Sequence, residues 1–423
     1  MPPRVGKFRA ATPNPTFYRT LSFILSTALV ILPVLPARAA LARSAAGAGR
    51  AEALRAAPAP APLAPSLTAT KVDSFPDPDG DGKAAPGETI TYAVTVTNNG
   101  TDATNVTFND TVDPNTTLVP GSVRTQPVAA GDSYSVLGNV QISVPDGTSD
   151  LLNNDRDPDT GNNSGLTAVA ETKSSAQCAG CNNVVISASG AFTYNPPAGY
   201  EGTDSFTYTV TDGTQSDTAT ATLTISKMVW FVDNAAATNG DGRLTSPFNS
   251  LAPLNGAGDP DKPGDVIFVH EGSGSYGGGI VLENSQRLVG QGTSLDAALA
   301  SFGIGVPAHS VPRPAATSSP TLANSGGNVI TLGDGNRVMF LNASASAAAS
   351  SAISGNGTGG TTAVSNVGVG ASGSSNGISL TSPLGPVTVS NSSVACGSSG
   401  TAVLVSGGAA GVLFNGTSVS QNG

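Results

Sequence analysis

The residue types first permit hard-cation chemistry. The run Asp77-Pro-Asp-Gly-Asp-Gly-Lys-Ala-Ala-Pro-Gly-Glu88 places Asp77, Asp79, Asp81 and Glu88 at positions 1, 3, 5 and 12 of a twelve-residue loop, with Gly82 at position 6. Oxygen ligands at alternating positions can wrap a calcium ion, and the glycine permits the sharp turn that wrapping needs. Four carboxylates so close repel one another without a cation, so the spacing predicts Ca2+ here. Pro78, Pro86 and flanking strand-like runs exclude the helix-loop-helix frame of an EF-hand. A second cluster, Asp155, Asp157 and Asp159, follows Asn154, but its glycine comes seventh and Leu166 stands twelfth, so no bidentate carboxylate closes that loop.

Groups for acid-base or nucleophilic catalysis are sparse. His270 and His309 are the only histidines, and His270-Glu271 does not continue into a zinc-protease motif, because the position four residues after His270 is Gly274. His270 reads as a strand-end residue beside a turn. Cys178 and Cys181, in Cys-Ala-Gly-Cys, read as a local disulfide pinning a turn in an exported chain. Zinc would need a second pair, and Cys396 stands alone as a small buried hydrophobe.

The elements that must position these groups are short strands and turns. Gly (52) and Pro (30) are abundant among 423 residues, while aromatic residues make 5 % and charged residues 11 %, a balance that points away from helical bundles. The length exceeds what one core usually serves. Net charge is −10, and −15 without the five basic residues of the first 39 positions, which disfavours nucleic acid as a partner. A basic lead (Arg4, Lys7, Arg9, Arg19), an apolar run from Leu21 to Leu35 and Ala37-Arg38-Ala39 read as a signal peptide over 1–39, cleaved near Ala39. No later stretch is long enough to span a membrane. The expected localisation is secreted or cell surface. Residues 40–66 are an Ala/Pro-rich linker.

From 67 to 125, Thr89 to Asn98 alternates with period two, Asn98-Asn-Gly100 turns, Val106 to Asp110 is another short strand, and Leu118-Val-Pro-Gly-Ser-Val123 is the last. With Pro86-Gly-Glu-Thr-Ile-Thr-Tyr92, these landmarks resemble the immunoglobulin-like conserved-repeat domain of bacterial surface proteins. From 126 to 227, Asp150-Leu-Leu-Asn-Asn-Asp-Arg-Asp-Pro-Asp159, Gly190-Ala-Phe-Thr-Tyr-Asn-Pro196 and Gly199 to Gly213 set Phe192, Tyr194, Phe206, Tyr208 and Val210 on one face of successive strands. This run resembles the cadherin-like domain of large bacterial adhesins. That resemblance implies calcium at Asp155, Asp157 and Asp159, stiffening a junction.

Residues 228–423 change character at Met228-Val-Trp-Phe-Val-Asp233. With Asp265 to Gly272 and Ile280 to Gly290, they resemble the opening coils of a right-handed parallel β-helix of the pectin-lyase-like superfamily. An internal repeat supports this: Ile330, Ile353, Ile378 and Val403 recur at 23, 25 and 25 residues, and Asn342, Asn366, Asn391 and Asn415 at 24, 25 and 24. The asparagines are expected to stack, with their amides hydrogen-bonding from coil to coil. Lyases on such a fold need a base and groups that neutralise a uronate. From Met228 onward the only Lys and Arg are Arg243, Lys262, Arg287, Arg313 and Arg337, and from Val338 to Gly423 there is no Asp, Glu, Lys, Arg or His.

The expectation is an all-β chain of two β-sandwich modules followed by the parallel β-helix. Its expected role is a non-enzymatic surface or adhesin-type protein that binds a surface glycan or protein. The alternatives are a β-helical carbohydrate-active enzyme and a purely structural stalk. The run from Val403 to Val419 repeats that from Ile378 to Val394, so the solenoid is expected to be truncated and to self-associate through its last coil.

Overall fold

The computed structural model describes residues 19–23, 66–99, 106–120, 122–256 and 258–421. The expected signal segment, apart from a strand at Arg19–Phe23, and the expected linker up to residue 65 lie outside them. The chain divides into one unit of residues 1–130 with 155–164, and a second of 131–154 with 165–423.

In the first unit, Leu67–Ser74 pairs antiparallel with Thr91–Asn98, from Leu67 opposite Asn98 to Ser74 opposite Thr91. Val106–Asp110 pairs with Arg19–Phe23. These strands stand where the alternation placed them, but as two separate two-stranded sheets, and Leu118 to Val123 forms no strand among its described residues. Val72 and Tyr92 are exposed, so the described hairpin has no covered apolar face of the kind a sandwich requires. Lys71 spans it, its Nζ 2.6 Å from Asp110 Oδ2 and 4.1 Å from the centre of the Tyr92 ring.

The second unit begins with a β-sandwich. Ile142–Val144, Phe192–Tyr194, Val184–Ile186 and Glu171–Lys173 form one sheet; Asp132–Leu137, Ser216–Ser226, Gly202–Thr211 and Thr167–Ala168 form the other. Alternation puts Phe192, Tyr194, Phe206, Tyr208 and Val210 inward, as their spacing predicts, and all five are buried. Phe192 meets Tyr134 and Phe206 edge-on, with centroids 4.9 and 5.3 Å apart.

The parallel solenoid follows, as three sheets of seven, six and five strands. The first sheet opens with Val229–Val232, Val266–Val269 and Arg287–Gly290, all parallel. Val-Trp-Phe-Val and Val-Ile-Phe-Val are continuous apolar runs because both faces of those strands are buried. Trp230, Val232, Ile267 and Val269 point into the coil. Val229, Phe231, Val266 and Phe268 point outward, where Leu137 and Val140 of the sandwich and Leu295, Ala298 and Leu299 of the α-helix Leu295–Ser301 cover them. The sandwich and the helix therefore cover the outer face of the first sheet in the opening coils through a shared apolar layer. Backbone bonds reinforce the junction: Leu244 N–H donates to Asn139 O at 2.9 Å and Ser143 N–H to His309 O at 2.8 Å. Gly242, at φ +82°, brings the covering loop down so tightly that a Cβ there would lie 2.5 Å from the rings of Trp230 and Phe248.

The repeat read from Ile330, Ile353, Ile378 and Val403 is the true register of the third sheet. The asparagine repeat is corrected. Asn342 is level with Gly368, and Asn415 with Ser390; only Asn366 and Asn391 are equivalent, each directly after those rungs. Both sit at left-handed φ, +53° and +48°, so they serve as corner residues, a conformation asparagine tolerates. The amide ladder lies elsewhere. Lys262 N–H donates to Asp265 Oδ2 at 2.9 Å, Glu283 N–H to Gln286 Oε1 at 2.8 Å, and Gly333 N–H to Asn336 Oδ1 at 2.6 Å, one such turn in each of three coils. The free amide ends reach to the preceding coil: Gln286 Nε2 to Asp261 Oδ2 at 2.5 Å, Asn336 Nδ2 to Glu283 O at 2.6 Å. Strand pairing sets Asp265, Gln286 and Asn336 on consecutive rungs, immediately before Val266, Arg287 and Arg337.

Asn336→Ala is expected to cost about 1–3 kcal/mol, because it strands the partly buried Gly333 N–H and removes the amide bonds to Glu283 O and Gln286 O, which keep only their backbone donors. Asn342→Ala should cost under about 1 kcal/mol, since it loses one partly buried bond to Ser319 O. Urea unfolding of the two variants measures the difference.

Candidate functional site

The Asp77 to Glu88 loop joins the two strands of the first hairpin. Asp77, Asp79 and Asp81 each bring a carboxylate oxygen within 4.8 Å of the others, and all three are exposed. The loop folds around them: Gly82 N–H donates to Asp77 Oδ2 at 3.0 Å, Asp81 N–H to Asp79 Oδ1 at 3.3 Å, and Lys83 N–H to Asp81 Oδ1 at 2.8 Å. Gly80 and Gly82 take left-handed φ, +72° and +73°, which allows the reversal. Glu88 is not gathered with them; its Oε2 accepts the Ala85 N–H at 2.6 Å.

Asp155, Asp157 and Asp159 are used separately. Asp155 Oδ1 accepts the Ala130 N–H at 2.7 Å, Asp157 Oδ1 accepts the Asp159 N–H at 2.8 Å, and Asp159 accepts the Thr125 hydroxyl at 2.7 Å. With the paired backbones of Val128 and Arg156, these bonds clasp loop 155–164 onto residues 125–130. Local spacing could not show this, since the partners lie 25 and 34 residues away.

Cys178 and Cys181 form the expected disulfide. Cys396 is buried and faces the coil interior, its Sγ 3.3 Å from Ser375 O. His270 ends the strand Val266–Val269 as expected and packs edge-on against Phe268, with centroids 5.4 Å apart. Burial holds its pKa below the usual imidazole value, against the opposing charge of Asp233.

Sequence reasoning passed over several buried carboxyls. Burial pushes Asp132 up to about 6, against the bond from Tyr208. The Tyr208 hydroxyl has a single proton, yet lies 2.8 Å from Asp132 Oδ2 and 3.0 Å from Leu151 O. In the solenoid, burial and then the Asp259 carboxyl push Asp261 up to about 7, beside Gln286. Asp265 is raised by burial and binds Trp230 Nε1 at 3.0 Å. Only their chain neighbourhoods, Lys262-Pro-Gly-Asp265 and Glu283-Asn-Ser-Gln286, hinted at these roles, as four-residue turns leading into a strand.

A different surface runs along the later coils. At the corner between the first and second sheets a shallow groove of about 600 Å³ is lined by Ser319, Phe340, Asn342, Asn366, Asn391 and Gly416, among others. None of these side chains is ionisable. The groove crosses successive rungs of one corner, so its chemistry repeats at the coil spacing, about 4.8 Å.

Residues 124–227 match the bacterial cadherin-like domain. The chain thus combines a cadherin-like domain with a β-solenoid, and is almost wholly β. The matched span begins within two residues of the boundary read at 126. No curated protein matches the sequence. Among solved structures, the chain has a likeness to the endo-fucoidan hydrolase MfFcnA4 of glycoside hydrolase family 107, at 13 % identity and a TM-score of 0.20. That likeness covers 50 % of this chain and 28 % of the hydrolase, so the chain spans under a third of that protein's length. At this level it carries no argument about fold or chemistry.

Asp132 generates a pH prediction. Its carboxyl titrates near 3.8 when unfolded and about 6 when folded, so the native state holds a proton that the unfolded chain releases across that window. Its contribution to stability is full below about pH 4 and is lost as pH rises through about 6. Asp132→Asn should flatten that part of the profile, measured as urea midpoints between pH 4 and 7.

Proposed function

We propose that the chain is an exported, non-enzymatic surface or adhesin-type protein whose solenoid presents a binding face to a glycan or protein. One observation carries the reading: from Val338 onward the coils hold no Asp, Glu, Lys, Arg or His, so the polar part of their outer face is hydroxyl, amide and backbone, beside a few exposed leucines such as Leu384 and Leu413. Such a face can hydrogen-bond a ligand but lacks ionisable groups for moving protons. The cadherin-like domain and the apolar layer that joins it to the first coils support a role in holding that face at a fixed attitude. The net charge of −10 argues against a nucleic-acid partner.

Calcium belongs to this reading at the hairpin loop. Asp77, Asp79 and Asp81 fit a hard cation by their convergence, and Glu88 would complete the set by giving up the Ala85 N–H. Asp155, Asp157 and Asp159 fit less well, since each already serves a backbone or hydroxyl donor.

Incubation with pectin, alginate and neutral glucans should release no new reducing or unsaturated ends, while the chain is retained on cell surfaces. New ends would replace this reading with that of a carbohydrate-active enzyme. Millimolar calcium should stabilise the first unit by about 1–3 kcal/mol over chelator, and Asp79→Ala should abolish most of that response. Differential scanning calorimetry of the full chain reports both.

A further inference from the structure

One corner of the solenoid repeats a single backbone shape with four different contents. Phe340, Asn366, Asn391 and Gly416 each follow the paired rungs Met339, Ser365, Ser390 and Asn415. All four lie at left-handed φ, between +48° and +58°. Asparagine and glycine tolerate that conformation; for phenylalanine it is unfavourable. The turn itself therefore does not ask for an aromatic ring. Packing explains part of Phe340, which rests against the apolar layer beneath the helix Leu295–Ser301. Phe340 also lines the groove, at the end where Ser319 returns from the 291–320 excursion.

The neighbouring rungs supply matching polar chemistry. The backbone N–H groups of Phe340, Asn366 and Asn391 are engaged in the coil ladder, donating to Ser365, Ser390 and Asn415 carbonyls at 3.3, 3.0 and 2.9 Å. Asn366 and Asn391, both of which line the groove, are thereby held in place by their backbones. An amide offers both donors and an acceptor, which suits a vicinal pair of hydroxyls. A sugar ring presents hydroxyls at its rim and C–H groups on its faces, and a C–H face suits an aromatic surface. With no charge in the coils from Val338 onward, nothing there compensates a sulfate or a uronate.

We propose that this corner binds a neutral, extended oligosaccharide, with one sugar face on the Phe340 ring and hydroxyls on the Asn366 and Asn391 amides. The assignment rests on the binding-face reading above and narrows it to one ligand class and one groove. Successive units lie over successive rungs, about 4.8 Å apart.

The row of corner residues itself suggests variants that keep the fold. Phe340→Asn installs the residue found at two equivalent rungs, and Asn366→Gly with Asn391→Gly installs the residue of the fourth. Calorimetric titration of the full-length chain would use cellohexaose, xylohexaose and mannohexaose as neutral probes, with oligogalacturonate and oligoalginate as acidic ones. At least one neutral hexaose should bind, with little dependence on salt. Phe340→Asn and the double glycine variant should each weaken it about three- to tenfold while circular dichroism is unchanged. The inference is overturned if no neutral hexaose binds, if only acidic oligomers bind, or if binding ignores both variants. Those results leave the broader reading standing so long as the chain still adheres to surfaces without cutting polymer. Release of reducing ends from any probe would instead defeat the broader reading.

Discussion

Hydrogen bonding between coils is the constraint on which the solenoid depends. In a parallel solenoid the N–H and C=O groups of each strand are satisfied by the coils above and below, so every coil must keep the register of its neighbours. Three requirements follow. Inward columns must stay apolar, as Trp230, Ile267, Leu288, Val338, Val364 and Val389 do on the first sheet, narrowing from tryptophan to valine along the axis. Corners must reverse within a residue or two, which places left-handed backbone at the same rung again and again. Polar groups trapped at corners must find partners in the adjacent coil, and Gln286 and Asn336 find theirs in the preceding one.

The first coils meet an additional demand, because an open solenoid end exposes unpaired edges and apolar side chains. Here the loop at 242–248 covers the first strand, Phe231 N–H donating to Gly242 O at 2.9 Å with Phe248 stacked on Trp230, while the cadherin-like sandwich lends Leu137 and Val140 to the outer layer formed by Phe231, Phe268 and the helix. The apolar runs around Trp230 and Ile267 follow from that burial on both faces. Later strands such as Val387–Ser390 alternate because only one face is covered.

Charge is distributed along the same line. Carboxylates crowd the hairpin loop, the loop at 155–159 and the turns of the opening coils, and the later coils carry none. The exposed acids have room for a cation. The buried ones are spent on structure: Asp265 holds Trp230, and Asp261 anchors Gln286. The later part of the solenoid therefore presents no ionisable side chain and exerts little long-range electrostatic steering.

Local periodicity by itself determined much of this protein. Period-two alternation located the sandwich strands and the inward set Phe192, Tyr194, Phe206, Tyr208 and Val210, and the 25-residue repeat of Ile353, Ile378 and Val403 gave the coil register directly. Both patterns reflect one side chain meeting one repeated environment, so they are written in spacing. The asparagine repeat was deceptive for the same reason. Asn342 and Asn415 fall near the right interval, yet one or two residues off the rung, and a shift that small moves a side chain to another face. Tertiary structure alone decided which acids converge. Asp77, Asp79 and Asp81 come together because their loop closes on itself, whereas Asp155 and Asp159 are drawn apart to Ala130 and Thr125. It also decided that Phe340 would stand in a corner made for asparagine or glycine, because that depends on which coil lies beside it and on the helix packed beneath.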